Sequence, residues 1–347
     1  MTVPTLLAHE TVADWLDWRA RAAARAHSRR WSPSPSGAYS LFGAGGAPLG
    51  EGAVVVAIDD VSPTVRASLL APADLLVARG VPVALLAPAH LADALAVRGF
   101  RAVADLRDPS TSPVAPAAVL ALSHAVGAGA AGWVLAGRAH APFLVVQHGV
   151  VTPYAPPLPA GAVLLAWSAR DAAFWLAGRV ELEVEVVGSE LLWQAAQLRR
   201  ERAGAGEGLC FLGQLHGAEL GRDVTVRTVA SIARTRPVLY RPHPAERDPL
   251  SLVRHERWRR GGVTVASANV PLTDEEGPIV GIFSTGILEA AACGLDAYAT
   301  CVRPPGWVEE LWLRYSMAPL GAREATVVTV PPRRPAEAIA DLVEERR

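Results

Sequence analysis

The chain has 347 residues, enough for two medium domains, and 51% of them are hydrophobic. Its 33 basic residues, all arginine, balance 34 acidic ones, so no overall field draws it to nucleic acid or to an anionic surface. Prolines and glycines break the apolar runs short of the roughly 18 residues that a membrane-spanning helix needs.

The amino end, MTVPTLLAHETVADW, carries no basic leader and does not read as a secretory signal. Residues 1–35 are expected to form an N-terminal helical segment. In it Trp15, Trp18 and the arginines of WLDWRARAAARAHSRR either pack on the chain behind them or make peripheral contact with a membrane. The stretch WSPSPSGAYSLFGAGGAP, dense in serine, proline and glycine, reads as a loop. From Val54 the pattern changes. VVVAI (Val54 to Ile58), VPVALLAP, FRAVADL and PFLVVQHG read as strands, SPTVRASLLAPADLLVARG and LADALAVRG as helices, and VAPAAVLALSHAVGAGAAGWVLAGRA as a helix pair. GAVLLAWS and ELEVEVVGSELLW follow, the second ending in a glycine turn. Strands apolar on both faces, alternating with helices, predict a parallel sheet covered on both sides, and hence a first α/β domain over 36–187.

LLWQAAQLRRERAGAGEG, a helix running into glycines, places a linker helix region at 188–207. A second series then begins with LCFLGQ, a helix around VTVRTVASIART and the strand PVLYRPHP. It continues with the short helix HERWRRGG, the strands GVTVAS and GPIVGIFS, and the helix TGILEAAACG, predicting another α/β domain over 208–330. EAIADLVEERR makes a C-terminal helix within 331–347, free to cross back onto another domain. The expected fold is therefore α/β, with two Rossmann-like parallel-sheet domains facing a cleft. Ligands in such folds sit beyond the carboxyl ends of the strands.

Unusual residues gather at those ends. In GIFSTGILEAAACG a strand runs into Ser284 and Thr285, Gly286 lets the backbone pass close to a ligand, and a helix follows. Two hydroxyls and free helix N–H groups are a phosphate site, or else an ordinary helix cap. In YRPHPAER, Pro242 and Pro244 stiffen the turn that presents His243, with Arg241 beside it. Either cation-forming group can reach a phosphate, although a hydrogen-bonded structural histidine is the alternative; Glu246 is expected to pair with Arg247. In the first half, QHG at Gln147 to Gly149 also follows a strand. His148, with an ordinary pKa of about 6.5, can take a proton from an alcohol there. Asp59 and Asp60 in VVVAIDDV stand at a strand end, as a base or as a cap for the helix beginning SPT. The histidines and acids lack zinc-site spacing. LFGAGGAPLG lacks the GxGxxG register of dinucleotide folds, and neither a GxxxxGK[ST] loop nor a GxSxG elbow occurs.

Together these residues resemble bacterial glycosyltransferases of the two-domain GT-B type. His243-Pro244 and Ser284-Thr285 are similar to the pairs that hold the CMP portion of the donor in the polysialyltransferase and capsule sialyltransferase families. His148-Gly149 is similar to the pair that supplies the base in the CDP-glycerol glycerophosphotransferases. The resemblance implies transfer of a glycosyl or glycerophosphoryl group from a CMP- or UDP-linked donor to a hydroxyl of a carbohydrate or cell-surface glycan precursor. It implies His148 as base, while Asp60, from its place at a strand end, is the acidic candidate. Arg241, His243, Pro244, Ser284, Thr285, Gly286 and Glu289 would bind the donor nucleotide, with no metal or other cofactor and no nucleic acid partner. The acidic-acidic-glycine motif of the sialyltransferases is displaced here. DEEG, with Glu275, Glu276 and Gly277, lies in the second half, and Asp59-Asp60-Val61 lacks the glycine. Alternatives are a non-catalytic nucleotide or carbohydrate binder and a sugar-nucleotide epimerase. With Cys210, Cys293 and Cys301 in no CxxC pair, a cytoplasmic setting is expected, extending to the inner face of the membrane if the opening helix lies there.

Overall fold

Short runs of valine, leucine and alanine become strands because both of their faces are covered. Val54, Val55 and Val56 have no exposed surface at all. The computed structural model describes residues 7–25 (23–25 as backbone only), 39–46, 52–112, 114–176, 179, 181–198, 208–215, 218–244, 246–266, 272, 275 and 277–347. The tail of the opening segment, the glycine-rich end of the linker and Glu276 lie outside the described residues.

The first half contains α1 (Val12–Arg25), β1 (Tyr39–Ala44) and β2 (Val54–Ala57). A continuous helical stretch follows, made of α2 (Pro63–Val65), a π-turn (Arg66–Leu70) and α3 (Ala71–Ala78). Next come β3 (Val83–Pro88), α4 (Ala92–Ala96), β4 (Phe100–Leu106), β5 (Ala118–Ala121) and α5 (Gly127–Ala139). Then β6 (Phe143–Val146), β7 (Ala162–Ala166), α6 (Ala169–Leu176) and β8 (Glu183–Val186) complete it. The eight strands form one sheet in the order β4-β1-β3-β2-β5-β6-β7-β8.

Past α7 (Glu190–Gln197) come β9 (Leu209–Leu212), α8 (Arg222–Ala233), β10 (Val238–Arg241), α9 (Pro249–Arg260), β11 (Thr264–Val265) and β12 (Ile279–Gly281). α10 (Thr285–Ala292), β13 (Ala297–Ala299), α11 (Gly306–Arg314) and α12 (Pro335–Arg346) follow. Their five strands pair in the order β11-β10-β9-β12-β13, all parallel.

Three sequence expectations need correction. The serine- and glycine-rich stretch after α1 contains a strand. β1 is buried over Tyr39 to Gly43 and runs antiparallel between β3 and β4, so the first sheet is mixed rather than purely parallel. Pairing on both edges, with Tyr39, Leu41 and Phe42 buried, outweighs the weak strand propensity of its serine and glycine. The predicted helix pair is a strand and one helix. AVLA is too short and too alanine-rich for periodicity to separate the two states, but it seats fully buried between β2 and β6. The short helix HERWRRGG is the end of a longer one, α9, begun by Asp248 as its cap.

The last helix crosses back. Ile339, Ala340 and Val343 of α12 are buried in the core of the first sheet with Leu69, Leu70 and Leu76. Outside this apolar stripe Arg79 meets Asp341 at 2.7 Å and Glu344 at 2.6 Å, and Arg346 meets Glu185 at 3.0 Å. The start of α12 is tied to α7 by the buried Glu190. It accepts from Ala336 N at 3.0 Å, Arg334 Nε at 2.9 Å and Gln194 Nε2 at 2.8 Å. α7 packs in turn on both the π-turn and α10, so the two crossover helices sit together between the sheets.

Ile339→Ala should therefore lower the stability of the first sheet by about 2–5 kcal/mol. Hydrogen exchange is expected to quicken in 54–57 and 69–78 and to stay unchanged in 209–212. The reverse pattern would show that α12 stabilises the wrong half.

Candidate functional site

The RPHP turn is held from behind by a buried carboxylate. Glu246 Oε1 accepts from the backbone N–H of Leu215 at 3.0 Å and of His243 at 3.3 Å, and from Tyr240 Oη at 3.1 Å. Its Oε2 lies 2.9 Å from His255 Nε2 of α9. The Glu246 N–H closes the turn onto the His243 carbonyl at 2.8 Å. A Cβ on Gly213 would stand 2.6 Å from both Glu246 Oε1 and Tyr240 Oη, so only glycine fits beside this cradle. The expected Glu246–Arg247 pair is thus replaced. A buried carboxylate needs several donors, and Tyr240, His255 and two backbone amides supply them where an exposed arginine cannot.

The cradle aims His243 outward. Its side chain is exposed, yet burial among surrounding protein lowers its pKa, with the Glu246 charge opposing. Pro244 is exposed beside His243. Arg241 pairs with Glu275 at 2.9 Å, which places the acidic motif of the second half on this turn. Glu289, one turn into α10, has its pKa raised by burial and pulled back by Arg241. Arg241 is a cation shared between carboxylates.

The turn from β12 into α10 lies next to this. Ser284 caps α10, its Oγ accepting from Gly286 N at 3.2 Å. A Cβ at Gly286 would meet Leu212 Cδ1 at 2.7 Å, which fixes how closely the turn approaches β9. Buried Gln214 accepts from Phe283 N at 3.1 Å and ties the two strand ends together.

The loop after β6 comes to the same place from the first sheet. Val150 N donates to Thr285 Oγ1 at 3.0 Å, and a Cβ on Gly149 would stand 3.1 Å from that oxygen. Both turn hydroxyls thus act as acceptors, and neither hydroxyl proton has an acceptor among the described residues. His148 is exposed beside this contact. Desolvation lowers its pKa, against the Val146 carbonyl and the Asp60 charge. Asp60 itself is exposed and turns toward its own chain, its Oδ1 accepting from Ser62 N at 2.8 Å. Asp59 caps α5 rather than the helix beginning SPT, accepting from Ala128 N at 2.8 Å. Gly127, with φ +60°, leaves room for it.

Behind the loop lies a cluster that no motif announced. Gln147 Oε1 accepts from Trp167 N at 2.8 Å, and its Nε2 donates to Gly149 O at 3.1 Å and Tyr315 Oη at 3.3 Å. Tyr315 Oη also accepts from Val151 N at 2.9 Å and donates to the buried Asp171 at 2.5 Å. Arg314 donates to Val151 O at 2.6 Å, lies 3.5 Å from Asp171 and stacks 3.7 Å over Phe174. Burial and the Asp171 charge push the Tyr315 phenol well above its usual range, so it stays a donor.

A chain of aromatic contacts runs along the same junction. Trp18 stacks on Tyr154 at 5.2 Å, Tyr154 meets Trp307 edge-on at 5.8 Å, and Trp307 meets Phe283 at 5.1 Å. Trp15 is buried and donates to Tyr154 O at 2.8 Å. Both tryptophans of α1 therefore contact protein. No helix among the described residues is long and apolar enough to cross a membrane. Among those residues there is also no group of three or more histidines, cysteines or acids able to hold a metal ion.

The facing strand ends define a two-domain α/β protein of GT-B-like arrangement. No protein-family model matches the chain, and no curated protein matches it. Among solved structures, UDP-N-acetylglucosamine 2-epimerase from Rickettsia bellii is similar with a TM-score of 0.48 and 11% identity, over 84% of this chain and 94% of that one. Anabaena HepE, in complex with UDP and glucose, is similar with a TM-score of 0.37 and 11% identity, over 84% and 95%. At these scores the architecture rests on the strand pairing described above.

Glu246→Ala should lower stability by about 3 kcal/mol or more, because four donors lose one buried acceptor. Arg247→Ala should change it by less than about 0.5 kcal/mol. Equal denaturation midpoints for the two variants would contradict the role given to Glu246.

Proposed function

We propose that the cleft transfers a glycosyl or glycerophosphoryl group from a nucleotide-activated donor, CMP- or UDP-linked, to a hydroxyl of a carbohydrate or glycan precursor. The observation that carries this is the meeting of the two strand-end loops. Val150 N bonds to Thr285 Oγ1 at 3.0 Å while His148 and His243 both stay exposed. This supports a reading in which His148 is the proton acceptor and the Ser284-Thr285 turn with His243 binds the phosphate.

His148 Nδ1 lies 3.4 Å from Val146 O. A carbonyl only accepts, so the contact favours the tautomer with its proton on Nδ1 and leaves the Nε2 lone pair for the acceptor hydroxyl. The acceptor oxygen gives its proton to Nε2 and forms the new bond to the transferred carbon or phosphorus. The bond to the nucleotide phosphate breaks, and its electrons leave with the nucleotide. The Ser284 and Thr285 hydroxyls, the N–H groups at the start of α10 and His243 stabilise that growing charge. Glu289 accepts from ribose hydroxyls. Pro244 and Gly286 shape the backbone around the nucleotide, and Arg241 balances Glu275 and Glu289 at its edge. Asp60 raises the His148 pKa from outside and is its electrostatic partner rather than the base.

Because desolvation sets the His148 pKa below 6.5, the neutral base persists at neutral pH. kcat/KM is expected to rise with pH through that lowered value and to level off above it. His148→Ala should cut kcat by about 10²–10⁴ with nucleotide affinity kept. His243→Ala should weaken calorimetric binding of CMP, CDP or UDP, and unchanged affinity would remove His243 from the nucleotide site. A screen of CMP-, CDP-, UDP-, GDP- and dTDP-linked donors identifies the base and sugar. Donor isomerised with no acceptor present would mark an epimerase instead.

A further inference from the structure

A cavity of about 390 Å³ opens where the π-turn, α3, α7 and the start of α12 converge, lined by Arg66, Asp74, Arg98, Gln194 and Arg334 among others. None of the cleft residues lines it. Its volume lies in the range of small-molecule sites. Three guanidinium groups line it against the Asp74 carboxylate, with Glu190 behind Arg334, so the group carries a single net positive charge.

The arginines are differently held. Arg98 is fixed to Asp74 through Nη2. Arg334 is fixed through Nε to Glu190 at 2.9 Å, with its guanidinium 5.6 Å from the Trp193 ring. Each uses one nitrogen for its anchor, and a guanidinium carries five N–H donors in a rigid fork, so the remaining donors stay oriented and uncommitted. Arg66 is exposed and has no partner among the described residues. It opens the π-turn, a helical irregularity that is rare in general and frequent at functional positions. Asp74 has its pKa raised by burial and lowered by both Arg98 and Arg334, which sets both cations around one point.

We propose that this cavity is a second anion site, separate from the cleft, for a small molecule bearing a phosphate or pyrophosphate group. Arg66 is its uncommitted cation, and Arg98 and Arg334 are its preoriented forks. An occupant would touch α3 of the first sheet and both crossover segments, α7 and the start of α12, at once.

The test is calorimetric titration of the full chain with inorganic pyrophosphate. Wild type should bind saturably. Arg66→Gln should weaken binding about tenfold or more, Arg66→Lys should recover most of the loss, and His243→Ala should leave it within about twofold. Because Arg66 is exposed and unpaired, its variants should melt like wild type without ligand, which separates lost binding from lost folding. No saturable binding up to about 10 mM would overturn the proposal. So would binding untouched by Arg66→Gln, or binding abolished by His243→Ala alone, which would assign the anion to the cleft. The cleft reading stands or falls separately, on the nucleotide titrations of His243→Ala.

Discussion

A buried carboxylate, Asp171, holds the two halves of the site in register. It lies in the first half, where Ser168 Oγ donates to it at 2.8 Å, and it also takes hydrogen bonds from Tyr315 and Arg314 of the second, which grip both backbone groups of Val151. A buried charge is tolerated only while its partners stay in place, so sliding of one sheet past the other would leave Asp171 with Ser168 as its one donor among the described residues, while Arg314 keeps Glu310 of its own helix. The loop carrying His148 is thereby pinned to the second half by groups that never touch the cleft. The Val150–Thr285 contact at its surface is the visible end of this hidden fastening.

Glu246 repeats the device on the opposite wall. Each wall has a buried acid behind a strand-end turn that accepts from a tyrosine, joined by Ser168 and Arg314 at Asp171 and by two backbone amides and His255 at Glu246, and each leaves an exposed imidazole. Desolvation lowers both imidazoles, so both are neutral hydrogen-bonding groups at neutral pH rather than fixed cations. Positive potential for a leaving phosphate would then come from the helix start and the hydroxyl protons, which require no protonation step.

The sequence made the strand ends legible because each is a compact local pattern. An apolar run halts at Gln147-His148-Gly149, at Arg241 to Pro244 and at Ser284-Thr285-Gly286, and glycine or proline marks the stop. It hid the fastenings because these join residues 143 and 144 positions apart that sit in no motif. The partners of Glu246 are hidden for a related reason. Its neighbour Arg247 is adjacent in sequence, whereas Tyr240 and His255 reach it only after β10 and α9 fold together. β1 is illegible in its serine- and glycine-rich stretch because its strand character comes from two flanking strands rather than from its own residues. The pairing of Arg241 with Glu275 joins two segments 34 positions apart and is visible only in the fold.

The return of α12 to the first sheet sets an order on biosynthesis. Leu69, Leu70 and Leu76 emerge from the ribosome early, but the Ile339, Ala340 and Val343 side chains that cover them come only after the whole second sheet. At ordinary elongation rates the nascent first sheet waits roughly ten to thirty seconds with that face uncovered. Tethering late residues to an early core makes the docking of α12 the step that closes this face.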